Sequence, residues 1–145
     1  MNITTLISAK EISNRVSELG QDISNDYQGP VILISVLKGS ICFMADLLRS
    51  IDSDVTIEFI SISSYKGAMK GNISLHDNSI EDIQGKHVIL VEDIVDSGRT
   101  LSFLIELLSE KNPKSIDVCT LLDKPARREI DVPLHYVGFE IGDYF

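Results

Sequence analysis

The chain is poor in the residues that would suit it to a disulfide-stapled, membrane-spanning or nucleic-acid-coating role. It has only two cysteines, Cys42 and Cys119, far apart and each in an apolar segment, so buried thiols are expected rather than a disulfide or a metal pair. His76, His87 and His135 are scattered without metal-ligand spacing, and surface or packing roles are expected for them. No apolar stretch reaches the length of a membrane span, and Met1 to Leu6 lacks the basic start and long apolar region of a signal peptide, so a cytoplasmic protein without membrane contact is expected. Basic residues are scarce too. Thirteen against 22 acidic ones give a formal charge of −9, which weighs against non-specific binding to nucleic acid or anionic membranes. Any anion site must be local.

What is present is enough for one sizeable core. With 145 residues and 43% hydrophobic composition, residues 1–145 make a single domain, with no linker, internal repeat or low-complexity tract. Ser8-Ala9-Lys10-Glu11 reads as a capping box ahead of a helical stripe of Ile12, Val16, Leu19 and Ile23. After the turn at Gly29-Pro30, the continuous apolar run Val31 to Val36 reads as a first parallel strand. A helix follows from about Ile41 to Arg49, with Ile41, Met44, Ala45, Leu47 and Leu48 available for burial. Val55 to Ile62 reads as a second strand, and Ser63 to Asp82, with its Gly, Ser and Asn, as a mobile loop or hairpin. Ser115 to Leu122 and Tyr136 to Ile141 supply two more strands around a basic loop, Asp123 to Arg128. Strands alternating with helices imply a doubly wound, mainly parallel α/β sheet flanked by helices.

The stretch from Val88 to Thr100, VILVEDIVDSGRT, organises the rest. Val88 to Val91 suits a strand buried on both faces, and Glu92, Asp93 and Asp96 stand at its carboxyl end, the edge where open α/β sheets bind ligands. Asp96-Ser97-Gly98-Arg99-Thr100 then leads into Leu101, Leu104, Ile105 and Leu108, spaced for one helix face that Asn112-Pro113 closes. Free N–H groups at that helix start, close approach at Gly98 and the hydroxyls of Ser97 and Thr100 make a phosphate cradle. Carboxylates beside an anion cradle make sense if the ligand also carries hydroxyls or a divalent cation, as a sugar phosphate does.

Glu-Asp-Ile-Val-Asp-Ser-Gly-Arg-Thr resembles the signature by which type I phosphoribosyltransferases bind phosphoribosyl pyrophosphate. The resemblance runs from the capping box to the last residue. It implies that fold with a mobile lid loop and a small hood, and it assigns roles. Glu92 and Asp93 would bind the ribose hydroxyls directly or through Mg2+, Ser97, Gly98, Arg99 and Thr100 the 5′-phosphate, and Asp96 would be the general base at purine N7. Leu37-Lys38-Gly39, at the equivalent turn one unit earlier, matches the family's pyrophosphate loop, although taken alone Leu-Lys-Gly serves equally as the start of a helix. Ser64-Tyr65 resembles the Ser-Tyr of the catalytic lid, which keeps water from an oxocarbenium-like state; the alternative is a surface hairpin.

Lys124, at another carboxyl edge, can donate to a carbonyl oxygen, which separates a 6-oxopurine from adenine. Lys followed four residues later by Arg resembles the hypoxanthine-guanine branch of the family, where the lysine contacts purine O6 and the arginine reaches pyrophosphate. Those roles fall on Lys124 and Arg128, against the plainer reading of a solvated basic turn. Phe145 falls where the family stacks an aromatic ring on the purine. Family members continue through a further strand and tail that contribute to the base pocket. That C-terminal segment does not follow Phe145 in this sequence, so either the sequence is truncated or the base pocket is incomplete.

The resemblance therefore implies a purine salvage enzyme that transfers the 5-phosphoribosyl group from phosphoribosyl pyrophosphate to hypoxanthine or guanine, with Mg2+ as cofactor. It also implies a homo-oligomer, dimer or tetramer. The alternatives are a phosphoribosyltransferase for xanthine, adenine or uracil, and a non-catalytic nucleotide-sensing RNA-binding regulator on the same fold, against which the net charge speaks.

Overall fold

Six consecutive residues of the first strand, Val31 to Val36, are buried, which requires cover on both faces of the sheet. The structure, a computed structural model, describes residues 3–64, 73–75, 80 and 82–143, with backbone only for 63, 64 and 73–75. The strands are β1 (Val31–Leu37), β2 (Val55–Ser64), β3 (Ile73–Leu75), β4 (His87–Val95), β5 (Ser115–Asp123) and β6 (Tyr136–Glu140). They form one sheet in the order β3-β2-β1-β4-β5-β6. All pairings are parallel except that of β2 with β3. This short return bears out a hairpin for the part of 63–82 that is described. The rest of that segment, with His76, lies outside the described residues.

The helices are α1 (Ala9–Asp26), α2 (Ile41–Arg49) and α3 (Arg99–Ser109). Side chains alternate across a strand, so β1 feeds two cores. Val31 and Leu33 join Val16, Leu19 and Ile23 of α1 and Phe43, Met44 and Leu47 of α2 in one cluster. Ile32, Ile34 and Val36 join Leu101, Leu104 and Leu108 of α3 in the other. Helices on both faces make the sheet doubly wound. Ser8 and Glu11 form the expected capping box, with Ser8 N–H to Glu11 Oε2 at 2.6 Å and Glu11 N–H to Ser8 Oγ at 3.1 Å. Arg15 ties α1 to β6, its Nε donating to the Gly138 carbonyl at 2.9 Å and its Nη2 to that of Val137 at 2.7 Å.

Two sequence expectations need correction. Cys42 is exposed, whereas Cys119 is buried as expected. Ile41 and Ala45 are exposed as well. The cause is shared: α2 is only nine residues long and turns the stripe Phe43, Met44 and Leu47 to the sheet, leaving positions 41, 42 and 45 facing water. His87 and His135 take packing roles. His87 sits edge-on to Tyr27 and meets Ser115 Oγ at 2.6 Å, and His135 Nδ1 accepts the Val118 N–H at 3.0 Å. Among the described residues no helix is long and apolar enough to cross a membrane.

Candidate active site

Neighbouring strands β1 and β4 send their following helices to opposite faces, α2 to one and α3 to the other. A cleft therefore opens at their carboxyl ends, the switch point where doubly wound sheets bind ligands. The turn Lys38-Gly39-Ser40 borders it from β1. The peptide between Leu37 and Lys38 is cis. Lys38 and Gly39 are exposed, while the Ser40 hydroxyl is buried, bonded to Ser35 Oγ at 2.7 Å and to the Val36 carbonyl at 2.5 Å. Gly39 packs so closely on the carboxylate of Asp93 that a Cβ there would collide with it. The pyrophosphate-type turn and the acidic strand end, separated by half a hundred residues of sequence, are thus in contact.

β4 runs through Val95, past the residue expected to end it, because parallel partners in β5 extend that far: Glu92 pairs with Thr120 and Val95 with Asp123. Glu92 and Asp93 consequently belong to the strand itself. Glu92 is 7% exposed. Its carboxyl is pushed up to about 8, first by burial and then by the charge of Asp93. Past the strand, Gly98 caps α3 at φ 85°, a left-handed conformation that favours glycine. A Cβ there would also strike the Ile130 carbonyl. The first bond of α3 runs from the Ser102 N–H to the Gly98 carbonyl at 3.0 Å, so the N–H groups of Thr100 and Leu101 have no acceptor within the helix. Glu92, Asp96, Ser97, Gly98 and Thr100 line a hollow of about 150 Å³ at this point. A larger cavity of about 590 Å³ lies at the opposite edge, beside Tyr27, Val31 and His87. Volume does not decide between them; the smaller hollow has the helix start, the glycine and the carboxylates at the ligand-binding edge.

The loop after β5 is bolted onto the same turn. Lys124 N–H donates to the Val95 carbonyl at 2.9 Å, and the N–H groups of Glu129 and Ile130 both reach the Ser97 carbonyl, at 2.9 and 3.0 Å. Arg128 Nε donates to the Asp96 carbonyl at 3.0 Å, and its guanidinium pairs with Asp123. Arg128 thereby sits beside the phosphate cradle. Arg99 pairs with Glu129 at 2.5 Å on the surface. The Lys124 side chain is 3% exposed and lies 3.2 Å from Asp143 Oδ1, which also accepts from Arg127 Nε at 2.9 Å. Hydrogen bonds to Lys124 and Arg127 hold the Asp143 carboxyl below the usual range.

The cleft thus brings together Leu37, Lys38 and Gly39 with Glu92 and Asp93, and the 96–100 cradle with Lys124 and Arg128. Tyr65 and Phe145 lie outside the described residues, and of Ser64 only the backbone is described, at the end of β2. Asp143 and Ile130 have places at the site that no motif in the sequence marks. Charge complementarity to Lys124 was the one available signal for Asp143; nothing in the residue types marks a backbone carbonyl packed on a glycine. Among the described residues no three acidic, histidine or cysteine side chains converge as a metal cage.

The sequence pattern of the "Phosphoribosyl transferase domain" family matches residues 4–145. The hypoxanthine phosphoribosyltransferase of Haemophilus influenzae is 44% identical over 153 residues, covering 99% of this chain and 84% of that protein. The hypoxanthine-guanine phosphoribosyltransferase of Bacillus subtilis is 41% identical over 143 residues, covering 97% and 79%. A crystal structure of a hypoxanthine-guanine phosphoribosyltransferase from Bacillus anthracis superposes with a TM-score of 0.91 at 47% identity, covering 99% of this chain and 84% of that one.

Proposed function

The chain belongs to the phosphoribosyl transferase domain family, and on that membership and the cleft geometry we propose that it is a purine salvage enzyme. It transfers the 5-phosphoribosyl group of phosphoribosyl pyrophosphate to N9 of hypoxanthine or guanine, releasing pyrophosphate. The observation that carries this reading is the contact of the Gly39 turn with Asp93 at the edge that also holds the Ser97–Thr100 cradle and buried Lys124. A donor with a phosphate at one end and a pyrophosphate at the other needs such a divided site.

Roles follow from chemistry. The N–H groups of Thr100 and Leu101 and the hydroxyls of Ser97 and Thr100 take the 5′-phosphate, Gly98 lets the ligand approach the backbone, and Arg99, whose N–H donates to Ser97 Oγ at 3.3 Å, completes the turn. Lys38 and the exposed Gly39 backbone serve the pyrophosphate, and Arg128, which rests on Asp123 and the Asp96 carbonyl beside the 5′-phosphate cradle, turns from that pair to reach it. Glu92 and Asp93 hold the ribose hydroxyls. Asp96 borders the hollow with its main chain fixed by Arg128, which leaves its carboxylate to take the proton at purine N7 as N9 attacks. Lys124 donates to the carbonyl at C6. Ser64 and Tyr65 act as the lid and Phe145 as the stacking ring.

The adjacent carboxyl groups of Glu92 and Asp93, with no third ligand among the described residues, fit Mg2+, which commonly takes one or two protein carboxylates and completes its shell with substrate oxygens and water, and its binding would release the proton that burial keeps on Glu92. Bound there, it would supply Lewis-acid stabilisation of the leaving pyrophosphate. Glu92 and Asp93 would hold it. The same reading includes a cytoplasmic homo-oligomer, dimer or tetramer, on the strength of family membership.

Incubation with phosphoribosyl pyrophosphate, Mg2+ and hypoxanthine, guanine, xanthine or adenine in turn tests the proposal. Nucleotide should form with hypoxanthine or guanine. Product from adenine alone would overturn it.

A further inference from the structure

Lys124 carries a charge that the fold has buried, and Asp143 is the anion set against it. The lysine side chain is 3% exposed, whereas Asp143 is 46% exposed. The pair is therefore asymmetric: the carboxylate can be satisfied by water, but a desolvated ammonium needs its partners. One oxygen of Asp143 serves two cations, lying 3.2 Å from Lys124 Nζ and 2.9 Å from Arg127 Nε. The backbone on both sides is pinned. Lys124 N–H bonds the Val95 carbonyl at 2.9 Å and Ile141 N–H bonds the Asp123 carbonyl at 2.8 Å, so the segment beyond β6 is fastened to the end of β5. Through Arg15, β6 is fastened in turn to α1.

We infer that Asp143 is a positioning residue for base recognition: its carboxylate aims the Lys124 ammonium, and selection of a 6-oxopurine over a 6-aminopurine depends on Asp143 as well as on Lys124. The inference rests on the assignment of Lys124 to the base made above. An ammonium has three N–H donors and no acceptor. Anchored on Asp143, the ammonium is held on a bearing from which it donates to a carbonyl but not to an amino group. Without the Asp143 carboxylate the lysine loses one of the partners that set its direction, and the contrast between the two base classes shrinks.

The test is steady-state kinetics with hypoxanthine and with adenine for the wild type, Asp143→Asn, Asp143→Glu, Lys124→Gln and the double variant Asp143→Asn/Lys124→Gln. Asp143→Asn should raise KM for hypoxanthine by about tenfold or more, leave KM for phosphoribosyl pyrophosphate unchanged, and lower the hypoxanthine-to-adenine ratio of kcat/KM by a similar factor. Asp143→Glu, which keeps the charge, should recover part of the loss. In the Lys124→Gln background, Asp143→Asn should add little, because the residue it acts through is gone. If Asp143→Asn leaves hypoxanthine KM and the ratio intact while Lys124→Gln destroys them, Asp143 has no such role and Lys124 keeps its own. Equal losses from Asp143→Asn with and without Lys124 would overturn the inference too. Should Asp143→Asn not fold, Asp143→Ser at the same exposed position carries the comparison. A wild type that makes no nucleotide from hypoxanthine would instead defeat the parent reading.

Discussion

The carboxylate of Asp93 rests against the α-carbon of Gly39, leaving no room for a side chain between them. This contact joins the turn after β1 to the end of β4. Gly39 does not adopt a positive φ, so the demand for glycine here is spatial rather than conformational. Gly39→Ala should therefore push Asp93 aside without unfolding the chain. The expected result is a rise of about tenfold or more in KM for phosphoribosyl pyrophosphate, with a thermal midpoint within a few degrees of wild type. Initial rates across donor concentrations and a melting curve check both parts.

Asp96 gives a different expectation. Its backbone carbonyl is held by Arg128 at 3.0 Å, and the residue lines the hollow at the start of α3. Asn in its place would keep size and main-chain position but could not accept a proton. Asp96→Asn should lower kcat by about 100-fold or more, the usual worth of a general base, while donor KM changes little. Isothermal titration with phosphoribosyl pyrophosphate and single-turnover rates separate binding from chemistry; undiminished kcat would remove Asp96 from the proton transfer.

The strands and helices were legible because burial on both faces writes itself as continuous apolar runs, Val31 to Val36 and Val88 to Val91 above all. The acidic and small residues at 92–100 were legible as a site because their chemistry is wrong for a core. Contacts made by the backbone were not. The extension of β4 through Val95 depends on the presence of β5 alongside, and the packing of the Ile130 carbonyl on Gly98 depends on where a distant loop returns. The exposure of Cys42 is not legible because a nine-residue helix with nearly continuous apolar residues does not announce which face meets the sheet. Asp143 and Lys124 are brought together only by the pairing of β5 with β6.

The two cysteines should respond oppositely to a thiol reagent. Cys42 is exposed on α2, whereas Cys119 is buried in β5, where burial pushes its thiol up to about 12. Only the thiolate attacks readily. One equivalent of thiol should therefore titrate in the native protein and a second only in denaturant. Mass spectrometry of peptides after native labelling should find the modification on Cys42; labelling of Cys119 at a comparable rate would contradict the burial of that strand.

Glu92 sets a pH dependence of its own. Burial, then the charge of Asp93, pushes its carboxyl from 4.5 to about 8 in the folded chain. The folded state therefore holds this proton more tightly than the unfolded state, and stability falls as pH rises wherever the folded state carries the extra proton. The contribution is fully present below about 4.5, declines as the pH climbs, and is lost once it passes through about 8. The loss amounts to a few kcal/mol, at most about 5, over that range. Glu92→Gln has no proton to lose at this position, so its stability should not show this decline. The difference in unfolding free energy between the variant and wild type, measured by urea titration without donor or divalent cation, should grow in favour of the variant from pH 5 to pH 8. A constant difference across that interval would show that Glu92 is already ionised in the folded chain at the lower end.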